Sequence, residues 1–176
     1  MTLRYALLGL LAARPLSGYE LAKLFDGELS KVWTAKHSQI YPELARLLDD
    51  GLIRQSASGP RRRKTYSITA AGKKALKKWL VETEPDRSSR HEAMLRVAFL
   101  WVLEPEQAAE YLRREEEFHR AQLAVLKEVH RIRPSGPAQK AQHLASEWGL
   151  RFERALADWA QWARKRVQEG FISSPD

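Results

Sequence analysis

Ser58-Gly59-Pro60-Arg61-Arg62-Arg63-Lys64 sets four consecutive positive charges beside a Gly-Pro turn. Leu52-Ile53-Arg54-Gln55-Ser56 precedes it, and Thr65-Tyr66-Ser67-Ile68-Thr69 follows. Strand, basic turn and strand read as a hairpin with charge at its tip. A turn can approach an anionic backbone without burying apolar surface, so this tip is suited to phosphate.

Upstream of the hairpin the chain reads as three helices. Residues 3–13 form an apolar helix that stops before Pro15. Ser17-Gly18-Tyr19-Glu20 has the spacing of a capping box. It opens a second helix with Leu21, Leu24 and Phe25 on one face, ending near Asp26-Gly27. A looser stretch with Leu29, Val32 and Trp33 follows. The third helix spans about residues 36–50, with Ile40, Leu44, Leu47 and Leu48 as its inward stripe. Gly51 reads as its C′ residue, and Pro42 falls early enough to be tolerated. Downstream, Thr69 caps a fourth helix with Leu76, Trp79 and Leu80 on one side and Lys73, Lys74, Lys77 and Lys78 on the other. Helix, helix, helix, hairpin is the winged helix-turn-helix order. The fold class expected is mainly α with a small β-hairpin, a winged helix-turn-helix followed by an all-helical dimerisation domain.

The chain has 176 residues, 44% of them apolar and 30% charged, enough for one domain or two small ones with a real core. Its net charge of +8 is segregated. Residues 1–82 hold 15 Lys/Arg against 7 Asp/Glu, whereas residues 83–176 hold 15 of each. Excess charge confined to one half points to a polyanionic partner, since neutralising phosphates releases condensed counterions. Cysteine is absent, which excludes disulfides and thiolate metal sites in this chain and fits a cytoplasmic location. Tyr5-Ala6-Leu7-Leu8-Gly9-Leu10-Leu11-Ala12-Ala13 reads as a buried first helix rather than a leader. No apolar run reaches the roughly 20 residues that span a bilayer, so no membrane partner is expected.

The second half reads as helical throughout. Residues 84–90 form a linker with Pro85 and Ser88-Ser89. Residues 91–103 make a strongly apolar helix, and Pro105 opens a long one reaching about residue 132. Ala108, Leu112, Phe118, Val125, Leu126 and Val129 are its expected stripe. After the break at Arg133-Pro134-Ser135-Gly136-Pro137, a last helix covers residues 138–169. Along it Ala141, Ala145, Trp148, Phe152, Ala155, Trp159 and Trp162 recur at steps of three and four. The expected domains are residues 1–83, DNA-binding; 84–90, linker; and 91–176, dimerisation and effector control.

The inward stripe of the third helix leaves Lys36, His37, Ser38, Gln39, Tyr41 and Glu43 toward its outer, N-terminal side, the end that meets bases in a major groove. Gln39 can pair bidentately with adenine, Ser38 can donate or accept, and Tyr41 can bond a phosphate or pack on a sugar. Tyr19, at the start of the second helix, is a further phosphate candidate, and Arg61, Arg62, Arg63 and Lys64 supply the wing. Simple surface exposure is the competing reading for Gln39 and His37. A symmetric duplex site needs a two-fold protein. The long aromatic seam supplies an interface, expected at Trp148, Phe152, Trp159 and Trp162 together with Leu7. Phe99, Trp101, Phe118, Trp148 and Phe152 are also candidates to line a pocket for a small aromatic effector, although aromatics at helical spacing equally make core or interface. Gly149, inside the last helix, allows either close approach of a neighbour or a kink.

Chemistry-bearing motifs are otherwise missing. His37, His91, His119, His130 and His143 are scattered, and the single Glu-x-x-His at Glu116–His119 lacks the second copy that a di-iron bundle requires. No zincin motif, Walker loop, dinucleotide fingerprint or nucleophile elbow occurs. The expectation is a protein that is no enzyme and uses neither cofactor nor metal. The rival to DNA binding is a winged-helix module that binds proteins only.

Five motifs together resemble the PadR-like transcriptional regulators: Leu7-Leu8-Gly9-Leu10-Leu11; Ser17-Gly18-Tyr19-Glu20-Leu21; Gln39-Ile40-Tyr41-Pro42-Glu43-Leu44; Leu47-Leu48-Asp49-Asp50-Gly51-Leu52-Ile53; and Arg63-Lys64-Thr65-Tyr66-Ser67-Ile68-Thr69-Ala70-Ala71-Gly72. They cover about residues 3–80 in the family's order. The rest resembles the family's longer form, whose helical C-terminal domain dimerises. The resemblance implies a homodimeric repressor of a palindromic operator, under the control of a small, often aromatic, molecule. It maps DNA contacts to Ser38, Gln39 and Tyr41, to Tyr19, and to the wing.

Overall fold

Leu7, Leu8 and Leu11 project from one side of α1 (Thr2–Ala13) and are buried at the centre of the N-terminal half. The computed structural model describes residues 2–27, 36–58, 63–87 and 92–172. They belong to two units, Met1–Arg87 and Ser88–Asp176.

In the first unit α1 is followed by β1 (Leu16–Ser17), α2 (Gly18–Asp26), α3 (His37–Asp49), β2 (Ile53–Ser58), β3 (Arg63–Ile68) and α4 (Ala70–Glu82). The expected stripes meet here, with Leu21 and Phe25 of α2 and Ile40, Leu44 and Leu47 of α3 all packing on the α1 leucines. β2 and β3 form the expected hairpin, in antiparallel register from Ile53↔Ile68 to Ser58↔Arg63. The sequence reading missed β1, which pairs antiparallel with β3 through Leu16↔Tyr66 and Ser17↔Thr65 and makes a three-stranded sheet of order β1-β3-β2. Two residues carry no period, so only the availability of β3's outer edge makes them a strand.

The base of the hairpin is clamped. Gly51, at φ +66°, lets Leu52 N–H reach Leu47 C=O (3.0 Å) and its own N–H reach Leu48 C=O (2.9 Å), a Schellman ending for α3. Thr69 caps α4 by accepting from Gly72 N–H (3.1 Å), and its hydroxyl lies 2.8 Å from Gly51 O and 3.0 Å from Leu52 O. Gly72 lies so close to this turn that a Cβ there would sit 2.1 Å from Leu52 O. Arg4 of α1 pairs with Asp50 and lies 3.9 Å from Glu43, while the Tyr5 ring stacks on Trp79 of α4 at 4.7 Å.

The second unit comprises α5 (Glu92–Val97), a 3-10 turn (Leu100–Val102), α6 (Pro105–His130) and α7 (Pro137–Gln168). The single helix expected over residues 91–103 is therefore broken. After Val97 the bonds tighten, as in Phe99 N–H to Arg96 C=O, and the turn drives Leu100 into a core with Ala108, Leu112 and Val167. Pro105 separates this turn from α6, since Glu104 before it is extended (ψ 146°).

α6 and α7 pack antiparallel, bridged by Arg164 Nη2–Glu116 Oε2 (3.0 Å), His119 Nδ1–Glu153 Oε2 (2.7 Å) and His130 Nδ1–Ser146 Oγ (2.8 Å). Gly149 serves close approach: a Cβ would meet Leu126 Cδ1 at 3.3 Å, and α7 runs on through it. The stripe expected on α6 is only half right. Ala108 and Leu112 point inward, but Glu116 and Leu123 continue that face while Phe118, Val125 and Val129 are exposed. The inward glutamate, held by Arg164 and Arg120, disguises the true helical phase.

Candidate nucleic-acid interface

Ile40 is fully buried and fixes the rotation of α3. With Ile40 inward, Lys36, His37, Ser38 and Gln39 are exposed and Tyr41 is about half exposed. Lys36 is the N-cap, with extended backbone. Its N–H donates to Gln39 Oε1 at 3.1 Å, and its C=O accepts from Gln39 N–H at 2.8 Å. The side chain expected to read a base thus also closes the first turn. His37 is engaged as well: its Nε2 lies 2.7 Å from Asp26 Oδ2, linking the start of α3 to the end of α2. Ser38 is exposed in the first turn of α3.

The adjoining surface comes from α2 and the sheet. Ser17 caps α2 in a full capping box: its Oγ accepts Glu20 N–H (3.3 Å), and Glu20 Oε2 accepts Ser17 N–H (2.8 Å). Tyr19 stands out from this first turn, 64% exposed. The Leu16↔Tyr66 pairing brings the start of α2 against β3. The Tyr41 ring lies on Gly18, where a Cβ would fall 2.6 Å from Tyr41 Cε1. Tyr66, behind it, is buried, and burial pushes its hydroxyl pKa up, with Tyr41 adding to the effect. Tyr19, Lys36, His37, Ser38, Gln39 and Tyr41 therefore share one region with the root of the wing. In the wing, Lys64 is exposed and Arg63 opens β3 opposite Ser58. Arg61 and Arg62 lie outside the described residues.

Glu43 of α3 and Asp50 at its C-cap face another way. Glu43 lies within ion-pair distance of Arg4 and Arg46, and Asp50 pairs with Arg4, toward α1. This arrangement keeps the first turn of α3 clear of its own helix's carboxylates. A helix N-terminus of polar, exposed side chains beside a basic two-stranded ribbon can meet base edges with one and phosphates with the other.

The sequence reading passed over Asp26, Gly18 and Tyr66. Gly18 had a signal: a glycine opening a capped helix, with no positive φ to require it, is there for space. Asp26 carried none, since only the tertiary placement of α3 brings His37 to it.

The interface and effector residues fare unevenly. Leu7 has no accessible surface and packs its own unit's core, which leaves it nothing to offer a second chain. Trp148, Phe152, Trp159 and Trp162 are exposed along one face of α7, with Trp148 and Phe152 stacked at 5.3 Å. The opposite face, Leu150, Ala157, Ala160 and Val167, is buried. Phe99, Trp101, Phe118, Trp148 and Phe152 are all exposed. A shallow open cleft in this unit is lined by residues that include Pro105, Glu106, Ala109, Glu110, Arg113 and Arg164.

Residues 7–78 match the model of the Transcriptional regulator PadR-like family, and residues 89–168 match that of Virulence activator alpha C-term. The negative transcriptional regulator PadR of Bacillus subtilis is 38% identical over 128 residues, 70% of this chain and 70% of that protein. A probable transcriptional regulator of Mycobacterium tuberculosis, Rv1176c, is 35% identical over 98 residues, 53% of this chain and 52% of that one. The crystal structure of Bacillus subtilis PadR with operator DNA superposes with a TM-score of 0.84 at 32% identity, over 95% of this chain and 99% of that one. The same protein with p-coumaric acid gives 0.83 at 31% identity, over 96% and 99%. With the fold, the motif order and a relative this similar in agreement, the chain belongs to the PadR-like family of transcriptional regulators.

Proposed function

We propose that this protein is a sequence-specific DNA-binding regulator, a dimeric repressor of a palindromic operator that acts in the cytoplasm and is released by a small aromatic effector. One observation carries the reading: the exposed polar turn Lys36, His37, Ser38, Gln39 and Tyr41 stands beside the root of a basic wing. The solved complex of Bacillus subtilis PadR with operator DNA supports it, as does that relative's description as a negative regulator.

The exposed aromatic face of α7 supports dimerisation. α7 has one face committed to α6 and an opposite one rich in tryptophan, which a second copy would cover. For effector control the support is the relative's complex with p-coumaric acid and the density of exposed aromatics in this unit. No described helix is long and apolar enough to cross a membrane.

Selection of bound duplexes from a random pool, followed by titration of the winner at two salt concentrations, tests the reading. A palindrome bound with steep salt dependence is expected. Absence of duplex binding at low salt overturns it in favour of a protein-interaction module.

A further inference from the structure

We propose that Gly18 is a positioning residue for DNA recognition: it forms the floor on which the Tyr41 ring lies, and so sets where the recognition helix presents the Tyr41 hydroxyl. This rests on the DNA-binding reading above.

Three atoms of one ring edge lie over Gly18. A Cβ at that position would meet Tyr41 Cε1 at 2.6 Å, Cδ1 at 3.3 Å and Cζ at 3.4 Å. The first distance is shorter than carbon atoms tolerate, so any side chain at residue 18 displaces the ring. Backbone conformation does not explain the glycine, because its φ is not positive, and glycine is a poor helix former at an ordinary position. The site is also rigid. Gly18 is buried, the capping box of Ser17 and Glu20 fixes the turn that holds it, and the pairing of Leu16 with Tyr66 ties that turn to β3. Tyr66, buried behind, senses Tyr41 electrostatically, which puts the two phenols in one neighbourhood.

Tyr41 is thus laid on Gly18 of α2, with Tyr66 of β3 in the same neighbourhood, while about half of it stays exposed. It lies one residue after Ile40, whose burial sets the phase of α3. A ring held on a rigid floor presents its hydroxyl in one direction, and recognition groups need that fixity. A ring pushed off Gly18 moves the hydroxyl.

The test is a double-mutant cycle on the full-length protein, with the duplex that the wild type selects from a random pool. Gly18→Ala should weaken binding on the order of tenfold, the scale of one charged hydrogen bond. Tyr41→Phe, which keeps the ring and removes the hydroxyl, should fall to a similar level. In a Tyr41→Ala background, Gly18→Ala should have no further effect on affinity. A Gly18→Ala protein that binds as wild type does, or whose loss adds in full to that of Tyr41→Ala, overturns the proposal. Should Gly18→Ala alone fail to fold, Gly18→Ala/Tyr41→Ala must fold, since removing the ring removes the clash; a double variant that also fails overturns it. A wild type that selects no duplex overturns the DNA-binding reading itself, and this proposal with it.

Discussion

Gln39 Oε1 accepts the backbone N–H of Lys36 at 3.1 Å, so the residue best suited to read an adenine also closes the first turn of the recognition helix. Gln39→Ala should therefore act twice. Preference at one base-pair position of each half-site should relax by about 1–3 kcal/mol, with the salt slope unchanged. Loss of this cap bond should also lower stability by roughly 0.5–1 kcal/mol. A duplex panel and a urea titration of the same variant check both effects.

The wing should behave differently. Replacing Arg61, Arg62 and Arg63 by Ala should weaken binding to all duplexes, specific and random alike, and flatten the dependence on salt by about 0.9 counterions per lost phosphate contact. If this variant and Gln39→Ala behave alike in both assays, the division between anchoring and reading is wrong.

Trp159→Asp places a charge on the exposed face of α7 and leaves the buried face, Leu150, Ala157, Ala160 and Val167, untouched. Helicity should stay near that of the wild type. Sedimentation should show the dimer weakened by roughly 2 kcal/mol or more, the scale of a tryptophan at an interface centre. An unchanged sedimentation profile removes this face from the interface.

Gly72→Ala tests the clamp beneath the hairpin. The added methyl would lie 2.1 Å from Leu52 O, a backbone atom that cannot rotate away. A destabilisation of roughly 1–3 kcal/mol or more is expected from this overpacking, read as a lower urea midpoint.

Glu110 gives a pH prediction. Hydrogen bonds from Arg113 and Arg114 lower its pKa from 4.5 to about 2. A carboxylate depressed in the folded state stabilises above its unfolded pKa, and that contribution fades as pH falls from about 4.5 toward 2. Because the group is partly exposed, solvent screening keeps the effect on stability small. A carboxyl-resolved NMR titration should place Glu110 near 2 in the wild type and higher in Arg113→Met.

Much of the first unit was legible because its helices carry local signals. Ser17 and Glu20, Gly51, and Thr69 mark ends that the structure reproduces with hydrogen bonds at those residues. The second unit was harder to read. Phe118 and Val125 look like core beside Leu112, yet a paired Glu116 holds the inward position and turns both outward. Aromatics on α7 were correctly assigned to one face, but periodicity alone could not say whether α6 or another chain covers it.

The order of helices, the hairpin, the segregation of charge and the apolar phase of each early helix were determined by the sequence alone, because each depends on residues within a few positions of one another. Tertiary structure decided the rest: that Leu16 and Ser17 become a strand, that His37 finds Asp26, that Leu7 is core rather than interface, and that the tryptophans of α7 face outward. These depend on contacts between distant segments, and a side chain's chemistry does not specify which distant partner the packing will bring to it. The basic turn at Arg61, Arg62, Arg63 and Lys64 reads as an anchor from sequence. That the strand rooting it runs beside Gly18 and Tyr41 follows only from the pairing of β1 with β3.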